Sequence, residues 1–237
     1  MALADRVVAI TGATGPLGRV TTRRFGKGGA CIGLIGRNEG RLAEVATRTG
    51  LAEGRWVAGV GELRTPDGVR SALEPIERAF GRVDVLLHLV GGWAGGTPVV
   101  ELDHDEVRSM LDQHLWTTLN MTQAVVPGML DRGWGRVVVV SSPFATEPGG
   151  RGASYALAKA TEEVIVRSLA REVAGTGVTA NVVVVRTIDM RHERETAPSP
   201  KNKSWTTPEE IADVLAFLSA DEAGSINGAR IPLFGRG

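Results

Sequence analysis

Tyr155 and Lys159 stand four residues apart, and Ser142 stands thirteen residues before the tyrosine. Residues i and i+4 share one face of a helix, so the phenol and the ammonium can point the same way. An unperturbed phenol, with a pKa near ~10, is a poor proton shuttle at neutral pH. A nearby ammonium favours phenolate and makes the phenol more acidic. A serine hydroxyl beyond a strand end can hold a carbonyl oxygen. These three groups can together protonate a carbonyl while a hydride reaches its carbon. A Tyr-x-x-x-Lys pair alone more often marks a solvated helix face, so its meaning depends on the elements around it.

Those elements begin with Thr11-Gly12-Ala13-Thr14-Gly15-Pro16-Leu17-Gly18, which follows the apolar run 7–10 and precedes a helical segment. Gly12 permits a tight turn, Gly15 lets backbone approach a pyrophosphate, and Gly18 lets the helix pack closely on the strand. The helix N-terminus offers amide donors and a favourable dipole. Thr14 adds a hydroxyl, Leu17 lies in the same turn, and Pro16 suits the first helical position but removes one donor. The alternative is a glycine-rich turn that holds no ligand. After the next strand comes Gly36-Arg37-Asn38, where a NAD site commonly places an acid on the ribose. The first acid is Glu39. Arg37 can instead pair with a 2′-phosphate, which favours NADP(H) over NAD(H).

Short β-branched runs at 7–10, 30–35, 55–60, 83–90, 136–141, 178–185 and 230–233 read as strands, several apolar throughout, as in sheets covered on both faces. Between them lie helical segments at about 16–28, 38–49, 66–80, 103–131, 153–174 and 207–219. Thr65-Pro66 and Thr207-Pro208-Glu209-Glu210 read as helix starts, and Gly81, Gly133 and Gly175 as stops. The alternation predicts an α/β fold over 1–237: a doubly wound parallel sheet of about seven strands with helices on both faces. The polar stretch 186–206, with Pro198 and Pro200, is expected to be a substrate loop or lid near the ligand crevice. An irregular surface loop is the alternative.

Lys+Arg and Asp+Glu are both 27, so formal charge is zero and nothing in the balance calls for nucleic acid or an anionic membrane. The lone cysteine, Cys31, excludes an internal disulfide and reads as a small buried hydrophobe. Asp5 stands where a signal peptide needs an apolar stretch, and no run approaches the ~18 apolar residues of a membrane span. A cytoplasmic protein with no metal site is expected.

Taken in order, Thr11-Gly12…Gly18, Val83-Asp84-Val85-Leu86, Ser142, Tyr155-Ala156-Leu157-Ala158-Lys159 and Asn181 resemble the short-chain dehydrogenase/reductase family over nearly the whole chain. The resemblance implies a Rossmann fold binding NAD(P)(H). It implies Tyr155 as acid/base, Lys159 on the nicotinamide ribose and Ser142 positioning substrate. It further implies a homodimer or homotetramer that pairs helices 103–131 and 153–174. Glu62 stands where an acid meets the adenine, with Leu63 beside it, and Ile188 where backbone meets the carboxamide. Departures are visible. Pro16 replaces a glycine, and His88-Leu89-Val90-Gly91 replaces Asn-Asn-Ala-Gly, losing side-chain hydrogen bonds while the backbone of Val90 and Gly91 still lines the cofactor. The C-terminal glycine pair reads Gly235-Arg236-Gly237. By similarity to Leu119-Asn120-Met121-Thr122, His114 occupies the site of the helix asparagine that supports proton relay. Its imidazole, or a water it holds, is expected to replace that relay; a non-catalytic helix histidine is an equal alternative.

Phe144, Trp93 and Trp205 are candidates to surround the reacting carbon, in a pocket suited to an apolar or partly aromatic ketone or aldehyde. Ordinary packing is the alternative for each, and Trp116 reads as packing or a subunit contact. The leading reading is NADPH-dependent carbonyl reduction, or the reverse oxidation. A non-catalytic dinucleotide-binding regulator and an epimerase or dehydratase using transient oxidation remain open.

Overall fold

The computed structural model describes residues 3–235; Arg236 and Gly237 of the C-terminal glycine motif lie outside them. The chain runs β1 (Val7–Thr11), α1 (Pro16–Lys27), β2 (Cys31–Gly36), α2 (Glu39–Thr49), β3 (Trp56–Val60), α3 (Pro66–Phe80) and β4 (Val85–His88). It continues with α4 (His104–Leu111), a π turn (Asp112–Trp116), α5 (Thr117–Asp131), β5 (Gly135–Ser141), α6 (Ala153–Glu172), β6 (Val178–Val185), α7 (Glu193–Thr196), α8 (Pro208–Leu218) and β7 (Arg230–Leu233).

All seven strands pair in parallel, in the order β3-β2-β1-β4-β5-β6-β7. The chain order reverses between β1 and β4, so the crevice at their C-terminal ends is the natural ligand site of such a sheet. β1, β4 and β6 are buried along their full length, because both sheet faces are covered. Val7 and Ala9 face a core completed by α3, α5 and α6, while Val8 and Ile10 face one completed by α1, α2 and α8. Alternation along each strand thus feeds two separate apolar layers. Buried Asp84 ties the strand starts together, accepting from Val7 N and Arg82 Nε at 3.0 Å each. Asn181 holds the turn into β7, donating to Ile226 O and accepting from Ala229 N.

The expected helix 103–131 is divided. Thr117 and Thr118 hydroxyls donate to the Gln113 and His114 carbonyls at 2.6 Å each. Such side-chain bonds compete with the helical ladder, and the backbone widens into the π turn, an insertion that often marks functional sites. The stretch after β6 is also more ordered than its composition suggests. The Asp189 carboxylate accepts from Glu193 N and Arg194 N at 2.8 Å each and starts α7. Arg194 then bonds the Trp205 carbonyl and Glu210 at 2.6 Å each, anchoring the segment to α8.

Candidate active site

Two hollows meet along the C-terminal ends of β1 and β4, sharing Gly12, Gly15, Leu89, Val90 and Gly91. One, of about 420 Å³, extends past Thr14, Arg37, Glu62, Leu63 and Arg64. The other, of about 620 Å³, is walled by Leu17, Trp93, His114, Phe144, Tyr155, Lys159 and Ile188. Together they form one trough, long enough in its lining to reach from the end of β2 to α6.

The glycine turn is shaped for an anion. Gly12 has φ +67°, and a Cβ there would lie 2.8 Å from Leu89 O. A Cβ on Gly18 would strike the Gly12 carbonyl, so α1 packs directly on the turn. Gly15 differs, since an added Cβ would meet only Gly12 O, at 3.2 Å. The space over Gly15 is left by the protein itself. α1 also starts with no side-chain cap and no acid in its first turn, leaving amide donors for a negative ligand. The residues present therefore fit a pyrophosphate.

Tyr155 is half-buried, with its ring edge-on to His114 and Phe144 at centroid distances of 6.0 and 5.9 Å. Lys159 is buried one helical turn further on. Its Nζ donates to Val140 O at 2.9 Å and to Glu162 Oε2 at 2.6 Å. His114 is fully buried on the π turn, with Nε2 3.1 Å from Gly92 O. Its Nδ1 lies 3.2 Å from Glu162 Oε1, out of line for a hydrogen bond. Burial pushes the Glu162 carboxyl up, but the Lys159 ammonium, with His114 and His88 behind it, outweighs burial and holds it below the usual carboxylate range.

A model of the family described as short chain dehydrogenase matches residues 6–200. The chain belongs to the short-chain dehydrogenase family. It is 28% identical to the acetoacetyl-CoA reductase of Cupriavidus necator, over 98% of each chain. It is 27% identical to the 3-oxoacyl-(acyl-carrier-protein) reductase of Escherichia coli, over 97% of this chain and 96% of that one. A crystal structure of a short-chain dehydrogenase from Bacillus anthracis superposes with a TM-score of 0.89 at 27% identity, over 99% of this chain and 97% of that one. The sheet is thus a Rossmann fold, and the enzyme is an NAD(P)-dependent oxidoreductase acting on a carbonyl or the corresponding hydroxyl. Among the described residues no helix is long and apolar enough to cross a membrane, and no cluster of metal-ligating side chains occurs.

This dehydrogenase gathers most of the residues singled out by sequence. Gly12, Thr14, Gly15, Leu17, Gly18, Arg37, Glu62, Leu63, Val90, Gly91 and Ile188 all line the trough, with His114, Phe144, Trp93, Tyr155 and Lys159. Two expectations need correction. Asn38 does not line the trough; its Oδ1 caps α2, accepting from Arg41 N at 2.9 Å. Trp205 lies outside the cleft wall, because its carbonyl is held by Arg194 beside Gly235 at the β7 end. Met190 lines the hollow from this segment. Ser142 is buried and caps a short 3-10 turn, its Oγ accepting from Phe144 N at 3.3 Å. Ser141 and Phe144, on either side of it in the chain, line the trough at this strand end.

The β4 loop also keeps side-chain hydrogen bonds, contrary to the reading of its sequence. Thr11 Oγ1 lies 3.0 Å from His88 Nδ1, and His88 Nε2 lies 3.1 Å from Thr117 Oγ1. Thr117 gives its proton to Gln113 O, so Nε2 carries a proton, and in the neutral ring Thr11 donates to Nδ1. Leu89 N then donates to Thr11 Oγ1 at 3.1 Å. Every group in this row is satisfied with His88 neutral, and burial lowers its pKa to about 4. Sequence reading missed Glu162. Its signal was present, since 155, 159, 162 and 166 share one face of α6, and Val166 is core.

Proposed function

We propose that the protein reduces a ketone or aldehyde with NADPH, or oxidises the matching alcohol, through Tyr155, Lys159 and Ser142. The observation that carries this reading is that Tyr155 and Lys159 line the same hollow as the Gly15–Gly18 turn and Gly91. The bound nicotinamide supplies the hydride. Gly12, Gly15 and the first turn of α1 would hold the pyrophosphate, and Val90, Gly91 and Ile188 the nicotinamide half. Tyr155 gives its phenolic proton to the carbonyl oxygen. Lys159, charged, stabilises the phenolate left behind. Ser142 Oγ uses an acceptor pair on Phe144 N and keeps its own proton, as a carbonyl-positioning hydroxyl requires. His114 supports return of the proton toward Lys159.

NADPH is favoured by two features of the ribose end. Glu62 is paired with Arg64, accepting from its backbone N at 3.2 Å and its guanidinium at 2.8 Å, which offsets its charge beside a phosphate. Exposed Arg37 lines the same hollow with its fork available to a phosphate. Relatives named for acetoacetyl-CoA and 3-oxoacyl-carrier substrates put 3-oxoacyl thioesters at the head of a test panel, against the apolar wall of Phe144 and Trp93. The test is kcat/KM for NADPH and NADH over that panel, in wild type and Arg37→Ala. NADPH should be preferred. Loss of a charge-assisted phosphate contact should lower the NADPH value about 10- to 100-fold and leave NADH nearly unchanged. A clear advantage for NADH in the wild type contradicts the cofactor assignment.

A further inference from the structure

The buried face of α6 carries a carboxylate that hydride transfer does not itself require. Glu162 is 1% exposed and three residues after Lys159, whose side chain is 7% exposed. Besides Lys159 and His114, its polar neighbour among the described residues is Thr118 Oγ1, 3.5 Å from Oε1, whose proton goes to the His114 carbonyl at 2.6 Å. An ammonium has three protons. Val140 O and Glu162 Oε2 take two of them, leaving one for the cleft that Lys159 lines. A buried ammonium with no counter-ion tends to lose its proton, because burial penalises the charged form. The other titratable groups facing this pair are imidazoles, His114 from the π turn and His88 from β4. Arg186, at the end of β6, is a second cation on the same cleft. No other carboxylate among the described residues lies within ion-pair distance of Lys159.

We propose that Glu162 is a positioning residue of the active site, which keeps Lys159 charged and fixed beside Tyr155 within a buried wall. This rests on the Tyr155–Lys159 reading above and adds what that pair needs in this chain. Glu162 moves no proton; it acts through Lys159.

Tyr155 is the sole tyrosine, so the ultraviolet phenolate band reports on it alone, without substrate or cofactor. The band is titrated in wild type, Glu162→Gln, Glu162→Asp and Lys159→Met, with thermal melts and NADPH binding showing that each variant is folded. Lys159→Met should move the band to higher pH. Glu162→Gln should move it the same way by about one pH unit or more. Glu162→Asp keeps the charge one methylene back, so its band should fall between wild type and Lys159→Met, and it carries the test should Glu162→Gln not fold. In NADPH-dependent reduction, Glu162→Gln should lose about tenfold in kcat at neutral pH, recover as pH is lowered, and keep its KM for NADPH. A shifted Lys159→Met band beside a Glu162→Gln band that stays put or moves down overturns the role of Glu162 and leaves the Tyr155–Lys159 reading standing. A Lys159→Met band that does not move removes that reading and this inference with it.

Discussion

His88 sits fully buried between Thr11 and Thr117, and the neutral ring satisfies its hydrogen bonds. Burial takes its pKa from 6.5 to about 4, with the Glu162 charge opposing and Lys159 assisting. The folded state therefore binds fewer protons than the unfolded state between these values. Its contribution is fully present above pH 6.5 and is lost as pH falls toward 4, by about 3 kcal/mol at most. Glu162, Asp189 and Glu210, all held below the usual carboxylate range, lose their contributions from about pH 5 downward, overlapping only the acid end of this window. Urea unfolding at several pH values within this window should show wild-type stability falling, and His88→Asn should flatten the fall. Parallel curves for the two proteins contradict the neutral-histidine assignment. Tyr155 and Lys159 were legible in the sequence because their spacing is meaningful on any helix. The roles of His88 and Glu162 were not: a position in an apolar strand and one on the core face of α6 were readable, but these residue types normally face water. Only the partner elements decide that these two are buried and bonded.

Strand runs, capped helix starts and the glycine turn made the parallel sheet and its covering helices legible in the sequence, and the structure departs at the helix expected over 103–131. Its apolar periodicity continues through the break, while the two threonine hydroxyls that open the π turn act through backbone carbonyls that no periodicity displays. That turn brings His114 against Gly91, where an added Cβ would lie 2.7 Å from the imidazole Cε1. The element thus delivers one imidazole to the floor of the trough, between the Gly92 carbonyl and Glu162. His114→Ala should lower kcat about tenfold or more while KM for NADPH stays within about twofold, followed across roughly pH 5–9. Wild-type kcat over that whole range removes His114 from proton return. Trp205 was misplaced for a related reason. The anchoring of its segment depends on Asp189, Arg194 and Glu210, three charges whose pairing spans two helices and a loop.

Across the whole molecule, one sheet places a bare glycine turn, an exposed arginine and a phenol–amine pair along a single trough. The trough lies at the β1/β4 reversal, and chemistry there joins the ends of β1, β2, β4, β5 and β6 with the start of α6. None of these pieces acts alone: Gly15 leaves room for an anion, Arg37 suits a phosphate, and Tyr155 suits a proton. Their common lining makes reduction of a carbonyl the function to test. The most direct measurement is NADPH-dependent turnover of the carbonyl panel by wild type and Tyr155→Phe, with NADPH affinity measured in parallel. The phenylalanine variant should bind NADPH as the wild type does and lose about 10²- to 10⁴-fold in kcat. Equal turnover by the two proteins contradicts the assignment of Tyr155 as the proton donor.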